Sequence, residues 1–240
     1  MAASFGGASA ADLKLLTVGA FRLVAQDTVP TFQRESGHKV TIVADSAQRI
    51  AQRIARGEAF DVVVLPQQGL DRMVGERKVF DDSITPLART GLGVAVSLSA
   101  LRPDISNAES FRRTLLAARS VAYVDPVAGG AGDLYLEQLF QNMGILFEIR
   151  AKTVPAIGGY AAQLVASGRA ELAIQQASEL LAVPGVQFVG LLPATLQRYT
   201  VYAGAVSAGA KDVDAAALLL EALARTDEAG VLRRRGMEAP

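Results

Sequence analysis

"FDVVVLP", Phe60 to Pro66, is a run too apolar to have a wet face. A strand of that kind is buried on both sides, which implies a mostly parallel sheet with helices over each face. Its neighbours fit. "LKLLTVGAF" (13–21) and "KVTIVAD" (39–45) have the same buried-strand pattern. Between them, "LVAQDTVPTFQRES" reads as a helix expected to bend near Pro30 and to stop at Gly37. "SAQRIAQRIARG" repeats Ile and Ala at helical spacing, from a capping Ser46 to Gly57. Strand-helix-strand-helix-strand makes an open α/β lobe.

The same grammar returns further on. "RSVAYVDPVAGGAGDLYLEQLFQNMG" reads as strand, glycine-rich turn and helix, and "GGYAAQLVASGRAELAIQQ" as helix, glycine and strand. "AQRIARGEAFDVVVL" (51–65) and "AQLVASGRAELAIQ" (162–175) both place a helix-ending glycine, then an acidic residue (Asp61 or Glu171), ahead of an apolar strand. This is read as shared grammar and not as duplication. "GLGVAVSLSA" (91–100) and "RYTVYAGAVS" (198–207) are β-rich and one lobe apart, so they make a double hinge. The tail, "KDVDAAALLLEALARTDEAGVLRRRGM", reads as two helices packing back on the first lobe. The expected fold is therefore α/β: two open α/β lobes joined by a two-strand hinge. Residues 12–92 plus 203–240 form the first lobe, 93–202 the second, and 1–11 a flexible N-terminal segment or signal-peptide remnant.

Composition limits the chemistry. With 24 Lys plus Arg against 24 Asp plus Glu, there is no whole-chain field to attract nucleic acid or an anionic membrane. Any charged ligand must be held locally. The absence of cysteine removes thiol nucleophiles, thiolate metal sites and disulfides. The single histidine, His38, is read as a partly exposed turn residue, so no multi-histidine metal site is expected. No apolar run is long enough to cross a bilayer. "ASA" before Ala11-Asp12 has the form of a signal-peptidase site, although basic and apolar leader regions are missing. A periplasmic location is expected if a leader precedes the chain, and a cytoplasmic one otherwise. No cofactor and no metal are expected, and the chain is expected to be a monomer.

The candidate site lies at the strand ends. "DPVAGGAGDLYLEQLF" places Ala128, Gly129, Gly130, Ala131 and Gly132 before a helix, where free amides and the helix dipole suit a small anion. Taken alone, the stretch is better explained by a tight turn with Asp133 as helix cap. It lacks the lysine of a Walker loop and the third glycine of a dinucleotide fingerprint, so nucleotide binding is disfavoured. The first strand ends in "VGAFRL", where Gly19 and Ala20 permit close backbone approach, Phe21 is a further candidate of the ligand loop, and Arg22 offers a planar cation to a carboxylate. The second ends in "ADSAQR", with Ser46, Ala47 and Gln48 at a helix start, and Pro66 closes the third.

Ligands of open α/β sheets bind outside the carboxyl ends of the strands. The second lobe adds "GGY", Gly158 to Tyr160 with Gly159 between them, and "IQQASE". Strand alternation lets only one of Gln175 and Gln176 face the cleft, and Gln176 is chosen. Paired carboxylates for acid/base work are not evident. Tyr160 and Asp125 are the candidates if the protein is an enzyme, and Arg49, Arg53 and Arg56 read as a solvated helix face.

These stretches, from about Leu13 to Gly236, resemble the molybdate-binding group of type II periplasmic solute-binding proteins. The resemblance implies an oxyanion held by backbone amides and hydroxyls between two lobes, and an ABC-importer permease as partner. The pattern departs at the first loop, where "GAFRL" stands in place of a serine-bearing "AAASL", and at Gln176, which stands in place of a tyrosine ligand. An arginine at this point suggests an organic carboxylate in place of molybdate. A divergent branch of similar proteins includes aconitate isomerases, which move a proton and a double bond in a tricarboxylate. The reading is a solute-binding protein for a small anion, with an aconitate isomerase-like enzyme or a cytosolic ligand sensor as the alternatives.

Overall fold

The computed structural model describes residues 10–124, 133–157, 159–226 and 230–240. The expectations placed on Asp125, Ala128, Gly129, Gly130, Ala131 and Gly132 lie outside the described residues, as does Gly158.

The chain opens with β1 (Asp12–Val18), a 3-10 turn at Gly19–Phe21, α1 (Arg22–Ser36), β2 (Lys39–Asp45), α2 (Ala47–Ala55), β3 (Val62–Pro66) and α3 (Gln67–Gly75). β1 pairs in parallel with both β2 and β3. β4 (Thr85–Ser97) then leads to α4 (Ala108–Ala117), β5 (Val121–Val124), α5 (Asp133–Asn142), α6 (Leu146–Arg150) and β6 (Thr153–Ala156). α7 (Ala161–Ala166), β7 (Leu172–Gln176), α8 (Ala177–Leu180) and β8 (Val186–Leu191) follow, and β9 (Tyr199–Val206), α9 (Val213–Ala224) and α10 (Val231–Arg234) complete the chain.

The strand order is β2-β1-β3-β9-β4-β7-β5-β6, with β8 on β4. Three apolar clusters among the described residues lie along this path. One draws on residues from Leu13 to Ala88 and from Tyr202 to Met237, with α9 and α10 contributing Leu219, Leu223 and Leu232. The other side of the path packs around Phe111, Phe140 and Ile149, and around the small residues Ala161, Ala162 and Ala173 of α7 and β7. β3, the run that led to this expectation, is buried along Val62–Leu65. Its two neighbours are β1, parallel, and β9, antiparallel, because β9 returns from the far side of the molecule.

β4 ties the halves together. Its Thr85–Gly91 part pairs with β9, and Leu92–Val96 pairs with β7. Where β9 leaves β4, the Gln197 side-chain amide stands in for a backbone peptide. It accepts from Leu92 N–H at 2.8 Å and donates to Leu92 C=O at 2.9 Å. Gly91 leaves room for this, since a Cβ there would lie 2.9 Å from Gln197 Cδ.

The shared helix-glycine-strand grammar has a shared structural use. Gly57 and Gly168 end their helices at φ 90° and 72°, a region that costs glycine little. The acidic residue that follows binds an amide of the adjoining segment. Asp61 accepts from Lys14 N–H at 2.8 Å, and Glu171 from Arg119 N–H at 3.0 Å. His38 is a correction to the sequence reading. It is buried at 6% exposure, stacks on Phe32 with ring centroids 6.0 Å apart, and accepts Ala11 N–H at Nδ1. Its imidazole follows a tight turn, but Ala11 and Phe32 of α1 pack against it.

Candidate functional site

The residues that precede the helices at the carboxyl ends of the strands meet in one cleft of about 590 Å³. Val18, Ser46, Pro66, Tyr160 and Gln176 each stand at the start of a helix or 3-10 turn, and all five line it. Only Ser46 caps its own helix, accepting Arg49 N–H at 3.3 Å. Its hydroxyl proton stays available to a ligand. The other four make no side-chain cap, so first-turn amides are left for other acceptors. Ala161 N–H is one that is already taken, by Gln175 Oε1 at 2.7 Å.

The first wall carries Gly19, Ala20, Arg22, Ser46, Ala47, Gln48 and Pro66. Phe21 is the exception among the residues chosen from sequence. Its ring is fully buried in the core and does not line the cleft. Arg22 has a buried Nε that meets no acceptor among the described residues, and its guanidinium carbon lies 5.8 Å from the centroid of the Tyr160 ring. A buried donor without an acceptor costs on the order of 1–3 kcal/mol, which a bound carboxylate would recover. Arg49, set aside in the sequence as part of a solvated face, also lines the cleft.

The opposite wall carries Gly159, Tyr160, Gln163, Gln175, Gln176 and Glu179. Tyr160 reaches across and donates its hydroxyl to Gly19 C=O at 3.1 Å. Burial pushes that hydroxyl above the ordinary tyrosine range; the Arg22 charge opposes the shift and Glu179 adds to it. Both glutamines line the cleft, and both are buried. Gln176 is held by β9: Tyr202 donates its hydroxyl to Oε1, and Nε2 donates to Thr200 Oγ1 at 3.2 Å. One Nε2 proton of Gln176 remains beyond these bonds.

Gln163, Gln175, Glu179 and Tyr202 of this constellation were not chosen from sequence. Glu179 lies one turn into α8, and its Oε1 comes within 3.4 Å of where a Gly19 Cβ would stand, beside Tyr160 Oη at 3.3 Å. Tyr202 lies on β9 and is buried. The available signal was an acidic residue three places after Gln176, the residue before α8, as Arg49 stands three places after Ser46, the residue before α2. The two cleft carboxylates differ in surroundings. Asp45 accepts Ser46 N–H at 2.9 Å and lies near Arg49 at 3.9 Å and Arg53 at 3.6 Å. Glu179 stands among Gly19, Tyr160 and the cleft. Among the described residues there is no group of His, Asp and Glu that could hold a metal ion.

The model of a family described as bacterial extracellular solute-binding protein matches residues 13–238. The chain belongs to that family. A curated relative, aconitate isomerase of a Pseudomonas species, is 36% identical over 236 residues, covering 94% of this chain and 87% of its own length. Among solved structures, the periplasmic molybdate-binding protein of Azotobacter vinelandii aligns with TM-score 0.77 at 19% identity, over 95% of this chain and 99% of its own. The sulfate-binding protein SubI of Mycobacterium tuberculosis aligns with TM-score 0.72 at 16% identity, over 95% and 87%. These structural likenesses establish the two-lobed solute-binding fold for this family member. Its cleft differs from a neutral oxyanion pocket in holding both a guanidinium and a carboxylate.

Proposed function

We propose that this chain closes its cleft on a small polycarboxylate of the aconitate type and isomerises it by moving a proton and the double bond. The observation that carries this reading is the Arg22 guanidinium, whose buried Nε meets no acceptor among the described residues, at a wall lined by helix starts. A carboxylate presents two coplanar oxygens that Nε–H and Nη–H meet side by side, and each such charge-assisted bond is about twice as strong as a neutral one. The further carboxylates of the ligand fall to the Ser46 hydroxyl, Gln48 and Arg49 on α2 and to the Gln176 amide. Hinge motion at β4 and β9 expels water and strengthens every one of these bonds. The relative named aconitate isomerase supports the same substrate class.

A second reading keeps the ligand and drops the chemistry: capture of a small carboxylate, as a monomer outside the inner membrane, for delivery to an ABC-importer permease. The two-lobed fold favours it. The two are separated by incubating the purified protein with cis- and trans-aconitate and following interconversion by proton NMR, alongside thermal shift. Turnover together with a thermal shift supports the isomerase, and a shift without turnover leaves capture. Indifference to every di- and tricarboxylate would sink both. Molybdate and sulfate serve as controls and are expected to give no shift.

A further inference from the structure

We infer that Gln175 binds the ligand: its side-chain amide presents both N–H bonds to the cleft and, with Gln176, holds a second carboxylate on the wall facing Arg22. This rests on the polycarboxylate ligand proposed above and assigns the place of its other end. Gln175 is buried at 6% exposure, and its Oε1 accepts Ala161 N–H at 2.7 Å. A backbone N–H can only donate, so the amide oxygen must face Ala161 and the amide nitrogen must face away. Among the described residues Nε2 has no acceptor, and unlike Arg22 Nε it is not sealed in the interior without one. It opens on the cleft that Gln175 lines. Two donors held there, with their oxygen already engaged, form a face that only an acceptor can fill.

Strand alternation argued against this residue, since neighbours on one strand point to opposite faces. They do so here as well. Gln175 turns toward the start of α7, and Gln176 toward Tyr202 and Thr200 of β9. The strand ends at Gln176, however, and the cleft lies across that end, so both faces reach it. Gln175 contributes two N–H bonds to the cleft and Gln176 one. This neutral set suits a carboxylate or carbonyl oxygen and offers nothing to an ammonium group, because both amide oxygens are engaged by protein donors. Arg22 therefore meets one end of the ligand with a charge, and the glutamines meet the other with dipoles. A ligand with acceptor oxygens at one end only leaves the Gln175 donors unmatched, so the cleft prefers di- and tricarboxylates to monocarboxylates of similar shape.

The test is calorimetric titration of the full chain with trans-aconitate. Gln175→Glu keeps an oxygen for Ala161 N–H and changes only the atom facing the cleft, from a donor to a charged acceptor, so affinity should fall by about 10²-fold. Gln163→Glu is the control: it places the same charge on the same wall at an exposed position, where solvent screens it, and should lose less than about tenfold. Gln175→Met is neutral and removes the donors, and a loss of about tenfold is expected. This variant should also melt lower, because Ala161 N–H loses its acceptor. In a heteronuclear NMR spectrum, the Gln175 side-chain amide signals, identified by their absence in Gln175→Met, should shift when aconitate is added to the wild type. If the wild type binds aconitate while these signals stay in place, or while Gln175→Glu loses no more affinity than Gln163→Glu, Gln175 serves only to hold the start of α7, and the proposed ligand still stands. If the wild type binds no polycarboxylate, both fall.

Discussion

The two walls of the cleft are built alike and are assigned different work. Each presents residues at the carboxyl ends of parallel strands, and each leaves helix-start amides exposed to the same space. The first wall adds Arg22 and Ser46, which attract and orient an anion. The second adds Tyr160, Gln176 and Glu179, a set containing a negative charge that an anion must tolerate. On the proposed function, a fold suited to capturing anions would become suited to transforming them by exchanging a few side chains on one wall.

Substitutions on each wall should therefore move different kinetic constants. The largest effect is expected from Arg22→Ala, which should raise KM for aconitate and weaken the thermal shift by about 10²-fold in affinity, as loss of a bidentate charge-assisted pair implies. Arg22→Lys should recover little of it, because the planar fork is lost. If instead kcat alone fell, the division between walls would be wrong. Tyr160→Phe is expected next, lowering kcat by about 10-fold with KM nearly unchanged, consistent with removal of one transition-state donor. Steady-state kinetics at saturating aconitate would detect either outcome.

Smaller effects sharpen the same contrast. Tyr202→Phe frees the Gln176 amide to rotate, and a rise in KM of a few fold is expected, with a loss on the order of 1 kcal/mol in stability by denaturant titration. Ser46→Ala removes the cap of α2 and should cost about 1 kcal/mol of stability together with a small loss of aconitate affinity. Smallest is the acid limb of stability. The Arg53 and Lys14 side chains hold the Glu58 carboxyl at about 2, well below its ordinary 4.5. A lowered value in the folded state favours folding above the ordinary value and loses that contribution as pH falls from there toward 2. Glu58→Gln should therefore narrow the stability difference between pH 6 and pH 3 in thermal melts. An unchanged difference would mean that the pair is screened by solvent.

Much of the first wall was legible because its chemistry is local. "VGAFRL" and "ADSAQR" join a strand end to a helix start in consecutive residues, and both lie at the cleft with Gly19, Arg22, Ser46 and Gln48. Phe21 was included with them and belongs to the core, because the 3-10 turn at Gly19–Phe21 rotates its ring inward. The second wall was less legible. Glu179 follows "QQAS" as an ordinary first-turn acid, and nothing near it in sequence signals that it faces Gly19. Arg49 had helical spacing with Arg53 and Arg56, and periodicity alone cannot tell that the first of the three stands at the cleft rim. His38 looked exposed because the turn around it is polar, whereas Phe32, one turn before the end of α1, supplies the apolar contact.

The sequence by itself determined the alternation of strands and helices, the two crossing strands and the placement of binding groups at strand ends. Those features follow from hydrophobic period and from glycines and caps that act within a few residues. The meeting of Gly19 with Glu179, and of Gln176 with Tyr202, was decided only by the tertiary structure. These contacts depend on how β4 and β9 carry one lobe across to the other, and no local spacing encodes that.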